Sequence, residues 1–117
     1  MRVLVVDDEP LIADGLAMLL EEEGLEASVL YEGRDVLRVV AAWRPEVLVL
    51  DVKLPDGDGV AIAQDVRRAW PAILIILMSG VVDPSRLRDR SDPRTLWLQK
   101  PFRVATLVNV IKSLMSD

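Results

Sequence analysis

Four polar stretches in this chain each come at the end of a short apolar run. Asp7-Asp8-Glu9 follows Val3 to Val6, and Asp51 follows Val47 to Leu50. Ser79-Gly80 comes just after Ile73 to Leu77, and Lys100-Pro101 comes after the weaker run Leu96 to Leu98. If these ends meet, Asp7, Asp8 and Asp51 place three carboxylates in one crevice. Two like charges about 4 Å apart repel by roughly 4 kcal/mol at an effective dielectric near ~20. Such a cluster takes up a proton or binds a cation. The chain has no His and no Cys, so a hard, oxygen-preferring ion is favoured. Mg²⁺ suits one or two carboxylates, waters and a phosphate oxygen. Lys100 offers a positive charge for a phosphoryl oxygen, and Ser79 offers a hydroxyl donor. An Asp carboxylate can itself act as nucleophile and form an aspartyl-phosphate. A cation and a lysine would then stabilise the charge on the group in transfer.

This chemistry needs elements that bring distant segments together. Val3–Val6, Val47–Leu50 and Ile73–Leu77 are apolar throughout and rich in Val, Ile and Leu. Continuous runs of this kind read as strands buried on both faces, as in a parallel sheet covered by helices. Ala27–Leu30 and Leu96–Leu98 are candidates for the outer strands. Helical periods lie between them. Leu11, Ile12, Leu16, Leu19 and Leu20 form one stripe, with Gly24 as its stop. Val36, Leu37, Val39 and Val40 form a second, ended by Pro45. Val60, Ile62, Ala63 and Val66 form a third, ended before Pro71, and Val104, Leu107, Val108, Ile111 and Leu114 form the last. Alternating strands and helices mark an α/β domain. In a parallel sheet the C-terminal strand ends share one edge, where ligands bind at the topological switch point.

Length and composition narrow the function. The 117 residues fit one domain, residues 1–117, with no internal repeat, low-complexity tract or linker. Absence of Cys excludes disulfides and thiolate chemistry, and absence of His excludes a phosphohistidine relay within this chain. The net charge of -5 argues against direct nucleic-acid binding. The longest wholly apolar run, Ala72 to Met78, is too short to span a bilayer, and the N-terminus does not read as a signal peptide. A cytoplasmic location without membrane insertion is expected.

Each residue also has an ordinary reading. Asp7 and Asp8 could be helix N-terminal charges suited to the macrodipole. Asp51 could be a solvated loop aspartate, Lys100 an ordinary surface lysine at a helix start, and Ser79 an N-cap or turn residue. Pro55, Gly57 and Gly59 read mainly as builders of the loop before the third helix. Trp97 could be plain core.

The joint pattern weighs against those readings. "VLVVDDEP" at 3–10, "LVLDVKLPDGDG" at 48–59, "ILMSG" at 76–80 and "LQKPF" at 98–102 follow in order. With these motifs the whole chain resembles a receiver domain of the two-component response-regulator family. The resemblance implies a flavodoxin-like, doubly wound sheet of five parallel strands in the order 2-1-3-4-5. It implies that Asp51 accepts a phosphoryl group from a histidine kinase or a histidine phosphotransfer protein. Asp8 and Asp51 would bind Mg²⁺ through their side chains, Lys53 through its backbone carbonyl, and Asp7 through a water. Lys100 and Ser79 would contact the phosphoryl group, Ser79 moving toward it. Trp97 would couple that motion to the surface formed by the family's fourth helix, fifth sheet strand and fifth helix. That surface serves output partners and homodimers in the family. The Lys100-Pro101 bond would be cis, a tight turn that aims the lysine inward. Phosphorylation and its loss would be self-catalysed, so the protein is not an enzyme in the turnover sense.

Three departures from the family pattern stand out. The switch position usually holds Tyr or Phe, and the bulkier Trp97 needs more room in a dense interior. Lys53 and Val81 occupy places that tune loss of the phosphoryl group. Residues 83–93, "DPSRLRDRSDP", stand where the family's fourth helix lies, with Leu87 as the lone apolar anchor between Asp83 and Asp92. Asp83-Pro84 is a good helix start and Asp92-Pro93 a good stop, so a short, marginal fourth helix is expected. Rival readings are weaker. A haloacid-dehalogenase-type phosphatase needs an acid two residues after its nucleophile, where this chain has Lys53. A pseudo-receiver scaffold would not need the intact Asp8, Asp51, Ser79 and Lys100 set. In a flavodoxin-like electron carrier, a phosphate-binding loop would be expected where Asp7 and Asp8 stand.

Overall fold

The computed structural model describes residues 1–80 and 92–115. The strands are β1 (Arg2–Val6), β2 (Glu26–Leu30), β3 (Val47–Asp51), β4 (Lys53–Leu54), β5 (Gly57–Asp58), β6 (Leu74–Ser79) and β7 (Thr95–Gln99). The helices are α1 (Pro10–Glu22), α2 (Val36–Trp43), α3 (Gly59–Ala69) and α4 (Val104–Met115). Five strands pair in the order β2-β1-β3-β6-β7, all parallel. Counted along the sheet strands alone, this is the expected order 2-1-3-4-5. β4 and β5 form a separate two-stranded antiparallel hairpin.

Each central strand feeds two cores because its side chains alternate between faces. Val3, Val5, Val47, Val49, Leu74 and Ile76 pack under α1 and α4, against Ala13, Leu16, Leu20, Leu107 and Ile111. Leu4, Val6, Leu48, Leu50, Ile75 and Leu77 pack under α2 and α3, against Val36, Val40, Ala63 and Val66. Burial on both faces is why β1, β3 and β6 read as unbroken apolar runs. The outer strands β2 and β7 are only partly buried along their length and carry polar residues accordingly.

The α1 stripe differs from its sequence reading. The buried face is Ala13, Leu16, Ala17 and Leu20, while Leu11 is 91% exposed and Ile12 and Leu19 also face outward. The reason is steric: small Ala13 and Ala17 let the helix lie close on the sheet, and the larger side chains on its flanks are left outside. Similarly, Leu37 of α2 and Leu114 of α4 are exposed beside the buried members of their stripes. Helix ends follow their signals more closely. Pro10 opens α1, and Gly24 follows its end with φ of 89°, a left-handed geometry that suits glycine. α2 stops at Trp43, before the expected Pro45, because Arg44 turns left-handed with φ of 56°. The helix expected between Asp83 and Asp92, with Val81, Val82 and Leu87, lies outside the described residues.

Candidate phosphoacceptor site

Parallel pairing delivers the ends of β1, β3, β6 and β7 to one edge of the sheet. Asp7 directly follows β1, and Asp51 is the last residue of β3. Ser79 ends β6, and Lys100 directly follows β7. Backbone bonds carry the ladder past the strand ends. Val52 N–H donates to the Met78 carbonyl at 3.0 Å, and Lys100 N–H donates to the Ser79 carbonyl at 2.7 Å. The Lys100-Pro101 peptide is cis, as the family resemblance implies.

The polar side chains converge. One carboxylate oxygen each from Asp7, Asp8 and Asp51 lies within 4.8 Å of the others. Asp7 is fully buried and Asp51 nearly so, whereas Asp8 is exposed. Lys100 Nζ donates to Asp51 Oδ2 at 2.9 Å and to Asp7 Oδ2 at 3.0 Å. The second Asp51 oxygen, Oδ1, accepts the Lys53 N–H at 3.1 Å. Asp7 Oδ1 accepts the Glu9 N–H at 3.0 Å, which also serves the start of α1. Burial disfavours the Lys100 ammonium, but hydrogen bonds and charge from Asp51 and Asp7 outweigh it and raise its pKa above the ordinary lysine value.

The donor set decides which ion fits. Three carboxylates with no nitrogen or sulfur ligand in the chain favour a hard cation that keeps waters. Mg²⁺ meets that description, and one ammonium among three carboxylates leaves net negative charge for it to offset.

Of the sequence-predicted residues, Asp7, Asp8, Asp51 and Lys100 are brought into direct reach of one another, and Ser79 and Lys53 border them through backbone bonds. Trp97 sits on β7 beside Leu77 of β6, partly buried against the core under α2 and α3. Val81 lies outside the described residues.

Three contributors escaped the sequence reading. A Cβ on Gly59 would lie 2.2 Å from the Asp51 carbonyl oxygen and 2.8 Å from Val52 Cα, so α3 is seated on the end of β3 only because that residue is glycine. Asp56, at the tip of the β4–β5 hairpin, accepts the Gly33 and Arg34 amides at 2.8 Å each. Arg67, at the opposite edge of the sheet, donates to the carbonyls of Pro71 at 2.8 Å, Ile73 at 2.6 Å and Arg94 at 2.9 Å, and pairs with Asp92. Glycine-rich turn chemistry signalled a loop at 55–59, but the partners of Asp56 and Arg67 are more than 20 residues away in sequence for the key bonds.

A doubly wound parallel sheet with an acidic crevice and a lysine at its carboxyl edge defines a receiver-type signalling domain. The family profile described as "Response regulator receiver domain" matches residues 3–112, and the chain belongs to that family. It is 32% identical over 117 residues to the transcriptional regulatory protein TrcR of Mycobacterium tuberculosis, covering 97% of this chain and 45% of that protein. The chain thus spans less than half the length of that curated relative. Among solved structures, the chemotaxis protein CheY4 of Vibrio cholerae superposes with a TM-score of 0.87 at 26% identity, covering 97% of this chain and 98% of the other. The response regulator TrrA of Thermotoga maritima, solved with Mg²⁺ and a beryllium fluoride, superposes with a TM-score of 0.83 at 30% identity over 97% of this chain and 98% of the other. The Asp7, Asp8 and Asp51 pocket fits the phosphoacceptor site of such a domain.

Proposed function

We propose that Asp51 is the phosphoacceptor and that the donor is the phosphohistidine of a histidine kinase or of a histidine phosphotransfer protein. The observation that carries this is the placement of Asp51: a nearly buried carboxylate at a strand end, held by Lys100 and the Lys53 amide beside two further carboxylates. In the transfer, an Asp51 carboxylate oxygen bonds to phosphorus. The phosphorus–nitrogen bond breaks, and the imidazole leaves with its electron pair. Attack of water on phosphorus later restores the carboxylate and releases inorganic phosphate. Both steps are self-catalysed, so the protein is a signalling component and not a turnover enzyme.

Asp8 and Asp51 side chains and the Lys53 carbonyl would hold Mg²⁺, with Asp7 acting through a water. The ion, when bound, supplies charge neutralisation for the phosphoryl oxygens. Lys100 exchanges its bond to Asp51 for a phosphoryl oxygen, and Ser79 donates its hydroxyl to another. The phosphoryl group adds about two negative charges and new acceptors, and the protein responds by a population shift between two forms. Ser79 and Trp97 form the switch. The readout is the face that includes β7 and α4, offered to an output partner or a second copy. The acidic net charge argues against direct nucleic-acid binding by this chain. Among the described residues no helix is long and apolar enough to cross a membrane.

Incubation with Mg²⁺ and acetyl phosphate tests the proposal. Mass spectrometry should find one added phosphoryl group, absent from the Asp51→Asn variant. No adduct from acetyl phosphate or from a cognate kinase would overturn it.

A further inference from the structure

The β4–β5 hairpin emerges directly from the phosphoacceptor strand, with only Val52 between Asp51 and Lys53. Its Lys53 amide holds Asp51 Oδ1 at 3.1 Å. A two-residue-per-strand hairpin is too short to fix itself, so something outside it must set its position. Asp56 supplies that anchor. Its Oδ1 accepts the Gly33 N–H and its Oδ2 the Arg34 N–H, both at 2.8 Å. These two amides belong to the loop between β2 and α2. That loop lies tight against the hairpin and α3: a Cβ on Gly33 would be 2.4 Å from Ile62 Cδ1 of α3, and 3.2 Å from Leu54 Cδ1 and 3.4 Å from Asp56 Oδ1 of the hairpin. The Gly33 amide foremost, opposed by desolvation and helped by the Arg34 amide, holds the Asp56 carboxyl below its ordinary pKa, so the clamp is charged at neutral pH.

We propose that Asp56 is a positioning residue for the phosphoacceptor site: by clamping the hairpin to the β2–α2 loop it holds the Asp51 carboxylate and the Lys53 backbone in the arrangement that the cation and phosphoryl group require. This rests on the assignment of Asp51 and Lys53 made above. Asp56 touches neither ion nor phosphate, and acts through Lys53. Residues that orient the groups around a metal change its affinity by about 10- to 100-fold when lost. Coupling is reciprocal, so an ion that gains affinity from the clamp must in turn tighten it.

The test uses the full chain and Mg²⁺ alone. Calorimetric titration should show Asp56→Ala weakening Mg²⁺ binding about tenfold or more. Asp56→Asn, with one acceptor oxygen left for two amides, should fall between it and the wild type. In the wild type, saturating Mg²⁺ should slow amide hydrogen exchange at Gly33 and Arg34. A merely structural role would lower the thermal midpoint of both variants and leave their Mg²⁺ affinity intact, and that result overturns the proposal. Unchanged exchange at Gly33 and Arg34 overturns it too, even if Asp56→Ala does not fold. If the wild type binds Mg²⁺, Asp51→Asn abolishes phosphorylation and the Asp56 variants bind normally, only the clamp is refuted. If the wild type binds no Mg²⁺, the site assignment falls with it.

Discussion

Gly59→Ala strikes the contact on which the site is seated. The added methyl carbon would lie 2.2 Å from the Asp51 carbonyl oxygen, 2.8 Å from Val52 Cα and 3.0 Å from the Asp51 carbonyl carbon. Ordinary contact begins near 3.4 Å, so the backbone on one side must retreat by about 1.2 Å. All three obstructing atoms are main chain, and no rotamer change relieves them. The retreat also pulls on the 2.7 Å bond from the Gly59 amide to the Val52 carbonyl. Overpacking of this kind costs about 1–3 kcal/mol. A displacement near ~1 Å at the reacting group costs about 10²-fold in rate. Urea denaturation reads the first quantity, and the rate of phosphorylation by acetyl phosphate with saturating Mg²⁺ reads the second. Gly57→Ala, two residues earlier in β5 but with nothing within 4 Å of its Cβ, controls for loss of glycine flexibility and should leave the rate near wild type. A Gly59→Ala protein with wild-type stability and rate would refute the view that α3 is rigidly seated on Asp51.

Further predictions follow from single residues. Gly15 lies inside α1 with open space around its Cβ, so Gly15→Ala should stabilise the domain by about 0.5–1 kcal/mol in urea denaturation. Arg67→Met removes a cation that satisfies several carbonyls and Asp92, and should destabilise by about 2–3 kcal/mol. Desolvation works against the Asp92 carboxylate, but the Thr95 hydroxyl, the Arg94 amide and the Arg67 charge lower its pKa below 3.8. Its stabilising contribution is therefore present above that pH and lost as pH falls through the lowered value. Acid titration of stability should show a smaller loss in Arg67→Met than in wild type, though not none. With Trp43 and Trp70 changed to Phe, emission from Trp97 should shift on adding Mg²⁺ and beryllofluoride; an unchanged spectrum would count against its role in the switch.

The parts of this molecule written in short-range pattern were legible in its sequence. β1, β3 and β6 are buried on both faces, so their apolar runs have no competing interpretation, and the polar residues that end them mark the site. The outer strands showed weakly because each has one edge without a partner strand in the sheet. α1 was misread for a physical reason. Leu11, Ile12, Met18 and Leu19 outnumber the large buried residues, and hydrophobicity alone cannot show that Ala13 and Ala17 face the sheet. Gly59 read as a turn residue because its close approach to Asp51 exists only after α3 docks. Asp56 and Arg67 carry no local signal at all: one is a loop aspartate and the other a helix-end arginine until the fold supplies their partners. Lys100 illustrates the opposite case, where "KP" after a weak strand gained meaning from three other motifs.

The central claim is that Asp51 takes the phosphoryl group. The direct measurement is tandem mass spectrometry after incubation with Mg²⁺ and acetyl phosphate, with borohydride reduction to trap the acyl phosphate at its residue. The label should fall on Asp51 alone, and Asp51→Asn should carry none. Label on Asp7 or Asp8, or label that persists in Asp51→Asn, would contradict the account.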